Sequence, residues 1–269
     1  MDELQGRTAV ITGAGSGIGR GIAHACAAEG MRVVVADLSS ERAERGAAEL
    51  GGLGVESLAV QVDVADAASV SALADRAYST FGAVHLLCNN AGVILERPIV
   101  ETTPEDWRWL FSVNVFGVVH GVQAFGPRMI AQGVPAHVVN TGSIAGLAPG
   151  IARNFGTYAA SKCAVVGLSE TLRSELAPHG IGVSVICPST VHTNLFESGL
   201  RRPAELGGPI EPNQSTADTL LAGMDPLEVG RRVIDAVRAN RLHVITHPEM
   251  RARPQQRYER LMRDFDAVS

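Results

Sequence analysis

Tyr158 and Lys162, four positions apart, carry the side chains in this chain that are best suited to proton chemistry. Residues at i and i+4 share one face of a helix, so a phenol and an ammonium would stand side by side. The phenol has an ordinary pKa of about 10, and a nearby cation lowers that pKa by favouring the ionised form. The pair could therefore exchange a proton near neutral pH. Because an ordinary surface pair has the same spacing, the rest of the sequence must decide between the two interpretations.

The composition indicates one large folded domain and excludes several classes of function. The 269 residues are 46% hydrophobic and only 4% aromatic, with a net charge of -5. A nucleic-acid surface would be basic and clustered, so no nucleic-acid partner is expected. No apolar run reaches the roughly 18 residues of a membrane span, and the first three residues lack a signal-peptide pattern, so no membrane is expected either. Four dispersed cysteines indicate reduced thiols in a cytoplasmic protein, and dispersed histidines predict no metal site.

Short β-rich runs alternate with amphipathic helical patterns along the whole chain. Most of these runs are apolar throughout, as in parallel strands whose two faces are both covered. The alternation predicts an α/β fold with a single Rossmann-type, doubly wound parallel sheet of about seven strands, helices on both faces, and one domain over residues 1–269. The predicted strands are Arg7–Thr12, Arg32–Ala36, Leu58–Val62, Val84–Cys88, His137–Asn140, Val183–Cys187 and Leu242–Thr246.

Capping residues mark several helix ends. One predicted helix ends at Gly82, and two others begin at Thr103 and Asp225, each a capping residue followed by proline. Two segments break the rhythm of the chain. Residues 194–224 are rich in Gly, Pro and polar side chains and predict a long functional loop. Residues 248–269 form a basic tail, which favours a solvated terminal helix over a role in subunit contact or in closing the site.

A glycine-rich turn follows the first predicted strand and opens the first predicted helix. Glycine lets the backbone approach a ligand closely, and a helix N-terminus offers free N–H groups and a positive dipole end to a pyrophosphate. Placed between a strand and a helix, the turn predicts a dinucleotide site. The residues of this turn are Gly13, Gly15, Ser16, Gly17, Ile18 and Gly19.

Asp37, at the end of the second predicted strand, indicates which dinucleotide is bound. An acid at this place accepts a hydrogen bond from the adenosine ribose and repels a 2′-phosphate. Ser16 and Leu38 occupy the positions where an NADP site would place a cation, and Arg20 is expected to face solvent. NAD is therefore favoured over NADP as the cofactor.

Taken in order, these motifs resemble the short-chain dehydrogenase/reductase family over nearly the whole chain. The segment from Thr12 to Gly19 is similar to the family's cofactor turn. The resemblance assigns the catalytic tetrad to Asn114, Ser143, Tyr158 and Lys162. The resemblance also identifies residues that would bind the cofactor. They are Asp63 and Val64 near the adenine, Asn90, Ala91 and Gly92 after the fourth strand, Pro188, Val191 and Thr193 near the nicotinamide, and also Tyr158 and Lys162.

The family's chemistry implies a role for each member of the tetrad. Tyr158 would be the general acid/base, and Lys162 would lower its pKa and bind the nicotinamide ribose. Ser143 would hold the substrate oxygen, and Asn114 would position a water molecule on a proton path. Two features depart from the family pattern. Ser143 and Tyr158 are 15 positions apart, with the extra residues expected in 150–156, and Pro188 is followed by Ser189 instead of glycine.

These observations predict an oxidoreductase that transfers a hydride between NAD(H) and a small secondary alcohol or ketone. The expected pocket wall is largely apolar, which favours a hydrophobic, cyclic or aromatic substrate, although Arg201 or Arg202 could hold a polar one. The wall is predicted to include residues 92–94, Ala145, Leu147, Phe155, Ser189 and residues 194–224.

Three alternatives to this function stay open. They are an NADPH-dependent carbonyl reductase, a non-catalytic dinucleotide-binding regulator on the same fold, and an epimerase or dehydratase that keeps NAD bound. The resemblance further implies a homotetramer, in which helices over residues 104–131 and 157–177 would form the main contact.

Overall fold

Seven parallel strands form one sheet, in the order β3-β2-β1-β4-β5-β6-β7. The computed structural model describes Met1 and residues 3–150 and 153–268. Predictions that involve Asp2, Ile151, Ala152 and Ser269 lie outside the described residues. The strands are β1 (Thr8–Thr12), β2 (Arg32–Asp37), β3 (Ser57–Gln61), β4 (Leu86–Asn89), β5 (Ala136–Thr141), β6 (Ile181–Cys187) and β7 (His243–Ile245).

The predicted fold class is confirmed, and every predicted strand is present with its ends shifted by two residues at most. Strand β1 pairs with β2 on one side and with β4 on the other, so the direction in which the chain builds the sheet reverses between β1 and β4. In open parallel sheets a ligand crevice forms at the carboxyl ends of the strands at such a switch point. The topology thus places the crevice beside Thr12 and Asn89, where β1 and β4 end.

Ten α-helices connect or flank the strands within the described residues. Helices α1 and α9 pack on one face of the sheet, and α3, α5 and α7 pack on the other. The helices are α1 (Gly17–Ala28), α2 (Ser40–Gly52), α3 (Ala67–Phe81), α4 (Pro104–Phe111), α5 (Gly117–Gln132), α6 (Ile144–Leu147), α7 (Gly156–Leu176), α8 (Gln214–Leu221), α9 (Pro226–Arg238) and α10 (Ala252–Asp266).

The predicted helix ends are confirmed. Helix α3 ends at Gly82, whose φ is +76°. Residues other than glycine rarely adopt this backbone conformation. Thr103 caps α4 in a reciprocal capping box with Asp106, and the Asp225 carboxylate accepts from the Leu227 N–H at the start of α9. Helices α1 and α9 approach so closely that a Cβ on Gly21 would lie 2.1 Å from the Pro226 carbonyl oxygen.

The stretch Pro104–Gln132 joins α4 to α5 through a π-helical turn, Ser112–Phe116. This stretch is long and apolar enough to cross a membrane by length and composition, with a mean hydropathy of 1.2 in its most apolar window. A core helix passes the same test, and Leu110, Val118 and Phe125 are buried in the fold. Its apolar character is therefore weak evidence for a membrane.

The prediction of a long loop over residues 194–224 is wrong. This segment, which we call the substrate lobe, folds into 3-10 turns at Leu195–Arg201 and Ala204–Leu206 and then into α8. A parallel bridge between Val191 and Met224 closes its base. In the tail, α10 has no buried residue, as expected of a solvated terminal helix.

Candidate active site

The glycine turn has a shape that only glycine allows. Gly13 and Gly17 have φ values of +66° and +50°. A Cβ on Gly19 would lie 2.2 Å from the Gly13 carbonyl oxygen, and a Cβ on Gly17 would lie 2.9 Å from Cγ2 of Thr193. The turn therefore has no room for a side chain at Gly17 or Gly19, and it leaves the first backbone N–H groups of α1 facing the crevice. This arrangement fits the pyrophosphate of a dinucleotide.

Side chains from neighbouring strand ends hold the turn in place. Thr12 Oγ1 accepts from the backbone N–H groups of Asn90 and Ala91, at 2.9 and 3.1 Å. The Asn90 side-chain amide donates to the Thr12 carbonyl at 2.9 Å. These bonds connect the ends of β1 and β4 at the switch point. Asn90, Ala91 and Gly92 all line the crevice, as the resemblance implies.

Asp37 is buried at the end of β2 and faces the glycine turn. Its Oδ2 accepts from the Gly15 N–H at 3.1 Å, and its Oδ1 accepts from the Ser39 N–H at 3.0 Å. The same Oδ1 receives the Arg42 guanidinium, at 3.2 Å from Nε. Sequence reasoning missed Arg42 as a cation at this site. The available signal was the Ser39 cap, which places Arg42 in the first turn of α2.

The other residues that the resemblance assigns to the adenine and the nicotinamide also line the crevice. Asp63 and Val64 follow β3 and line the crevice, and Asp63 Oδ1 accepts from the Ala65 N–H at 2.9 Å. Arg20 points away from the site and pairs with Glu49 at 2.8 Å. Crevice walls also come from Ser16, Ile18, Pro188, Val191 and Thr193.

Tyr158 and Lys162 lie on α7, and both face the same crevice as Ser143. Lys162 is only 3% exposed, and its Nζ donates to the Thr141 carbonyl at 2.8 Å. That nitrogen lies 5.6 Å from the centre of the Tyr158 ring. The α7 helix therefore brings the phenol and the ammonium together, as the i, i+4 spacing predicts.

Burial shifts the pKa of both groups. It raises the pKa of Tyr158 to about 12, and the hydrogen bond with Ser143 opposes that rise. It lowers the pKa of Lys162 to about 8. Removing each group from water disfavours its charged form, so the net shift of the Tyr158 pKa is upward in this structure. That Lys162 lowers this pKa stays a prediction.

Asn114 lies fully buried in the π-helical turn, and its side chain is engaged with protein atoms. Oδ1 accepts from the Val93 N–H at 2.8 Å, and Nδ2 donates to the Val93 carbonyl at 2.9 Å and to Ser161 Oγ at 3.1 Å. Asn114 thus fixes the backbone beside Gly92 and one turn of α7. The side chain therefore has a structural role.

Ser143 connects the tetrad to the segment after β6. Its Oγ accepts from the Ala145 N–H at 3.1 Å as the cap of α6, and it donates to the Pro188 carbonyl at 3.4 Å. The Ile144 N–H also donates to Pro188, at 2.9 Å. The hydroxyl faces the crevice from this anchored position.

His247 is a positioning residue that sequence reasoning missed. The Ser189 N–H donates to His247 Nδ1 at 3.2 Å, so the other ring nitrogen carries the proton and donates to the Thr190 carbonyl at 3.1 Å. The imidazole thereby holds the backbone at the position where the family pattern has glycine. Only a lone histidine just after the last strand marked it in the sequence.

The walls of the substrate end differ in part from those predicted. Gly92, Val93 and Ser189 line the crevice as expected, and the substrate lobe contributes Pro203, Leu206 and Leu220. Among the described residues, Ile94, Ala145, Leu147 and Phe155 do not line it. Ala145 is buried, and Leu147 packs against a separate core cluster. The walls that sequence reasoning missed are Trp109, Ser112 and Val113.

Arg202 does not face the substrate end, so the expectation that it could hold a polar substrate is wrong. It is 5% exposed and pairs with Asp106 at 2.6 Å, while Arg97 holds the other carboxylate oxygen at 2.6 Å. Burial opposes ionisation of Asp106, but the Thr103 N–H and the two guanidiniums together lower its pKa. The Arg202 guanidinium also lies over the Trp109 ring, 5.5 Å from the ring centre.

Comparison with known proteins identifies the family. A family model described as short chain dehydrogenase matches residues 7–202, and the chain belongs to the short-chain dehydrogenase/reductase family. It is 36% identical to a C alpha-dehydrogenase of Sphingobium sp. strain SYK-6, covering 100% of this chain and 87% of the relative. It is 35% identical to the 1-deoxy-11-beta-hydroxypentalenate dehydrogenase of Streptomyces exfoliatus, covering 97% of this chain and 90% of the relative.

A solved structure agrees with this assignment. A short-chain dehydrogenase/reductase from Burkholderia phymatum, in complex with NAD, matches with a TM-score of 0.93 and 39% identity. The match covers 98% of this chain and 97% of that one. The protein is therefore an oxidoreductase of this family, and the similarity supports binding of NAD(H).

Proposed function

We propose that the protein is an NAD-dependent dehydrogenase that interconverts a hydrophobic, cyclic or aromatic secondary alcohol and its ketone. The observation that carries the proposal is one continuous crevice. Ser143, Tyr158 and Lys162 face one end of it, and the glycine turn and Asp37 face the other. Trp109, Val93, Val113 and Leu206 give the reactive end apolar walls.

The proton step belongs to Tyr158 in this proposal. During oxidation its oxygen takes the proton of the substrate hydroxyl, and during reduction it returns that proton to the carbonyl oxygen. A bound nicotinamide would supply the hydride acceptor in oxidation and the hydride donor in reduction. Because burial raises the pKa of Tyr158 to about 12, the neutral phenol predominates at pH 7, which suits proton donation in reduction.

The other tetrad residues orient the reaction. Ser143 donates a hydrogen bond to the substrate oxygen and holds it near Tyr158. Lys162 binds the nicotinamide ribose and, when protonated, favours the phenolate. Asn114 fixes the backbone at Val93 and completes a water-mediated proton path beside Lys162.

In this proposal, different residues of the cofactor end hold different parts of the dinucleotide. The backbone from Gly13 to Gly19 receives the pyrophosphate. Among the described residues, the Asp37 Oδ2 accepts one hydrogen bond, from the Gly15 N–H, and it keeps a lone pair for the adenosine ribose. This arrangement favours NAD. Asp63 and Val64 would contact the adenine, and Pro188, Val191 and Thr193 would hold the nicotinamide.

The activity test pairs a panel of secondary alcohols with NAD and measures NADH absorbance. We expect turnover with a cyclic or aromatic alcohol and none with polyols, and loss of turnover in Tyr158→Phe. NADH release equal to the alcohol consumed excludes an epimerase or dehydratase. A non-catalytic regulator would instead show NADH binding and no turnover with any alcohol or ketone.

A specific observation favours one second candidate, an NADPH-dependent carbonyl reductase. The Arg42 guanidinium beside Asp37 is a cation of the kind that a 2′-phosphate binds. Fluorescence titration with NADH and NADPH separates the two cofactors. Tighter binding of NADPH by the wild type would contradict the preference for NAD.

We also propose that residues 1–269 form one catalytic domain of a cytoplasmic homotetramer. The outward face of the α4–α5 stretch supports self-association, since Phe116 is 53% exposed there and Ile130 is partly exposed. Light scattering tests this assembly, and a monomeric mass at micromolar concentration would contradict it.

A further inference from the structure

Two arginines from distant parts of the chain line one region of the crevice. Arg42 lies in the first turn of α2, and Arg201 ends the first 3-10 turn of the substrate lobe. Both line the crevice with Ser16 and Gly17. The chain therefore places two guanidiniums beside the glycine turn, although they are far apart in sequence.

The two cations are unequally neutralised. Arg42 forms an ion pair with Asp37 at 3.1 Å. Within the described part of the chain, the one ion pair of Arg201 is with Glu197, at 3.9 Å on the same turn. That distance lies at the outer limit of an ion pair, and both side chains are more than a third exposed, so the pair contributes little. The positive charge of Arg201 is thus only weakly neutralised by the described residues.

The electrostatics of this region agree with its geometry. Burial lowers the pKa of Arg201, and the Arg42 guanidinium lowers it further, while Glu197 and Asp37 oppose the shift. The repulsion between the two guanidiniums is relieved when an anion enters between them.

Arg202, the next residue, explains why Arg201 faces the crevice. Arg202 is fixed on buried Asp106 at 2.6 Å, so the backbone of the substrate lobe is anchored at that point. Arg201, one residue earlier at the end of the 3-10 turn, lines the crevice with Ser16 and Gly17. Arg202 thus anchors the substrate lobe, whereas Arg201 is available to bind a ligand in the crevice.

We propose that Arg201 binds the pyrophosphate of the dinucleotide, opposite the N–H groups that begin α1. The inference rests on the proposed binding of NAD(H) and adds a contact from the substrate lobe to the cofactor. The Asp37 carboxylate beside Arg42 disfavours a 2′-phosphate, so the pyrophosphate is the phosphate group that fits. The lobe that walls the substrate end would then also hold the cofactor.

The test compares the affinities of ADP and adenosine for the wild type and Arg201→Gln by calorimetry. A charge-assisted hydrogen bond contributes about 1.5–3 kcal/mol, so we expect ADP to bind roughly 10- to 100-fold more weakly to the variant. Adenosine has no phosphate and should bind both proteins equally. Arg201→Lys keeps a positive charge and should retain most of the affinity for ADP.

Arg231 provides a matched control. It forms a similar loose ion pair with Glu228, at 3.8 Å on the surface of α9. Arg231→Gln should leave the affinities of both ligands unchanged. Unaltered ADP affinity in Arg201→Gln would overturn the inference, and so would a selective loss of affinity for adenosine 2′-monophosphate.

Failure of the inference is distinguishable from failure of the proposed function. If the wild type binds neither NADH nor ADP, the proposed cofactor is wrong. If it binds both and Arg201→Gln keeps the ADP affinity, only the role of Arg201 is wrong. Equal thermal midpoints of the wild type and Arg201→Gln verify that the variant is folded.

Discussion

The cofactor end and the substrate end of the crevice are built by different means. At the cofactor end, backbone segments approach each other directly, as where Gly19 lies against the Gly13 carbonyl. At the substrate end, side chains connect segments that are about a hundred residues apart. Arg202 reaches Asp106, and Thr216 donates to Glu96 at 2.6 Å. The first end depends on close backbone packing, which the bonds between Thr12 and Asn90 support, and the second depends on long-range bonds between side chains.

This difference predicts different consequences of mutation. A change in the glycine turn should impair cofactor binding through a clash of the backbone. A change in the ion pairs of the substrate lobe should impair substrate binding and stability, with less effect on the cofactor. Tyr158 faces the reactive end, where the substrate would meet the nicotinamide, so its loss should abolish the chemistry while both ends keep their ligands.

The largest effect is expected from Tyr158→Phe. Loss of a general acid/base typically costs about 10²–10⁴-fold in rate, and we expect kcat to fall within this range. Steady-state kinetics with the best alcohol of the panel measures the change. Affinity for NADH, measured by fluorescence, should stay within a factor of about two because the ring is retained. A kcat near that of the wild type would show that another group transfers the proton.

Arg202→Gln should produce the next largest effect. Removing one partner of a buried ion pair typically costs about 3–5 kcal/mol, and the remaining pair of Asp106 with Arg97 should keep the loss near the lower end. Urea unfolding measures the loss, and KM for the alcohol should rise while the affinity for NADH changes little.

Arg108→Gln is the matched control for Arg202→Gln. Arg108 pairs with Glu105 at 3.0 Å, but its side chain is 68% exposed, so its loss should change stability by less than about 1 kcal/mol. Equal losses in the two variants would contradict the view that a buried ion pair anchors the substrate lobe.

Gly19→Ala should have a moderate effect confined to the cofactor end. The new Cβ would lie 2.2 Å from the Gly13 carbonyl oxygen, and such overpacking costs about 1–3 kcal/mol. NADH affinity should fall about tenfold or more, as measured by fluorescence titration. In the control Gly51→Ala, on α2 and outside the helices expected to form the subunit contact, the new Cβ would meet no described atom within 4 Å beyond its own helix backbone, so helix propensity should leave stability unchanged or slightly higher.

The smallest effect is expected from the titration of Lys162. Its pKa is about 8 in the folded protein, below the value of about 10.4 for an unfolded lysine, so the unfolded state binds more protons between these values. Stability therefore rises with pH across this window, and below about pH 8 the buried charge costs the most.

Urea unfolding of the wild type and Lys162→Met at pH 7.5 and 9.5 tests this sign. The stability of the wild type relative to the variant should increase with pH by roughly 1–2 kcal/mol. A decrease would mean that Lys162 is stabilised as a cation in the folded protein.

Much of this fold could be predicted because its signals are local. Apolar runs identified all seven strands, and Thr103, Asp225 and Gly82 marked helix ends through contacts within a few residues. The placement of Tyr158 beside Lys162 followed from the period of one helix. The substrate lobe was missed because its helical turns lack a strong periodic pattern and are fixed by partners elsewhere in the chain.

The parallel sheet, the glycine turn and the order of the motifs that place the chain in its family could all be predicted from the sequence. These features depend on backbone conformation and on periodicity, which a short stretch of residues specifies. The folded structure was needed to show that Arg42 pairs with Asp37, that His247 holds Ser189, and that Arg201 and Arg202 have different partners. It also decided the direction of both shifts in pKa, because burial arises only when the whole chain is folded.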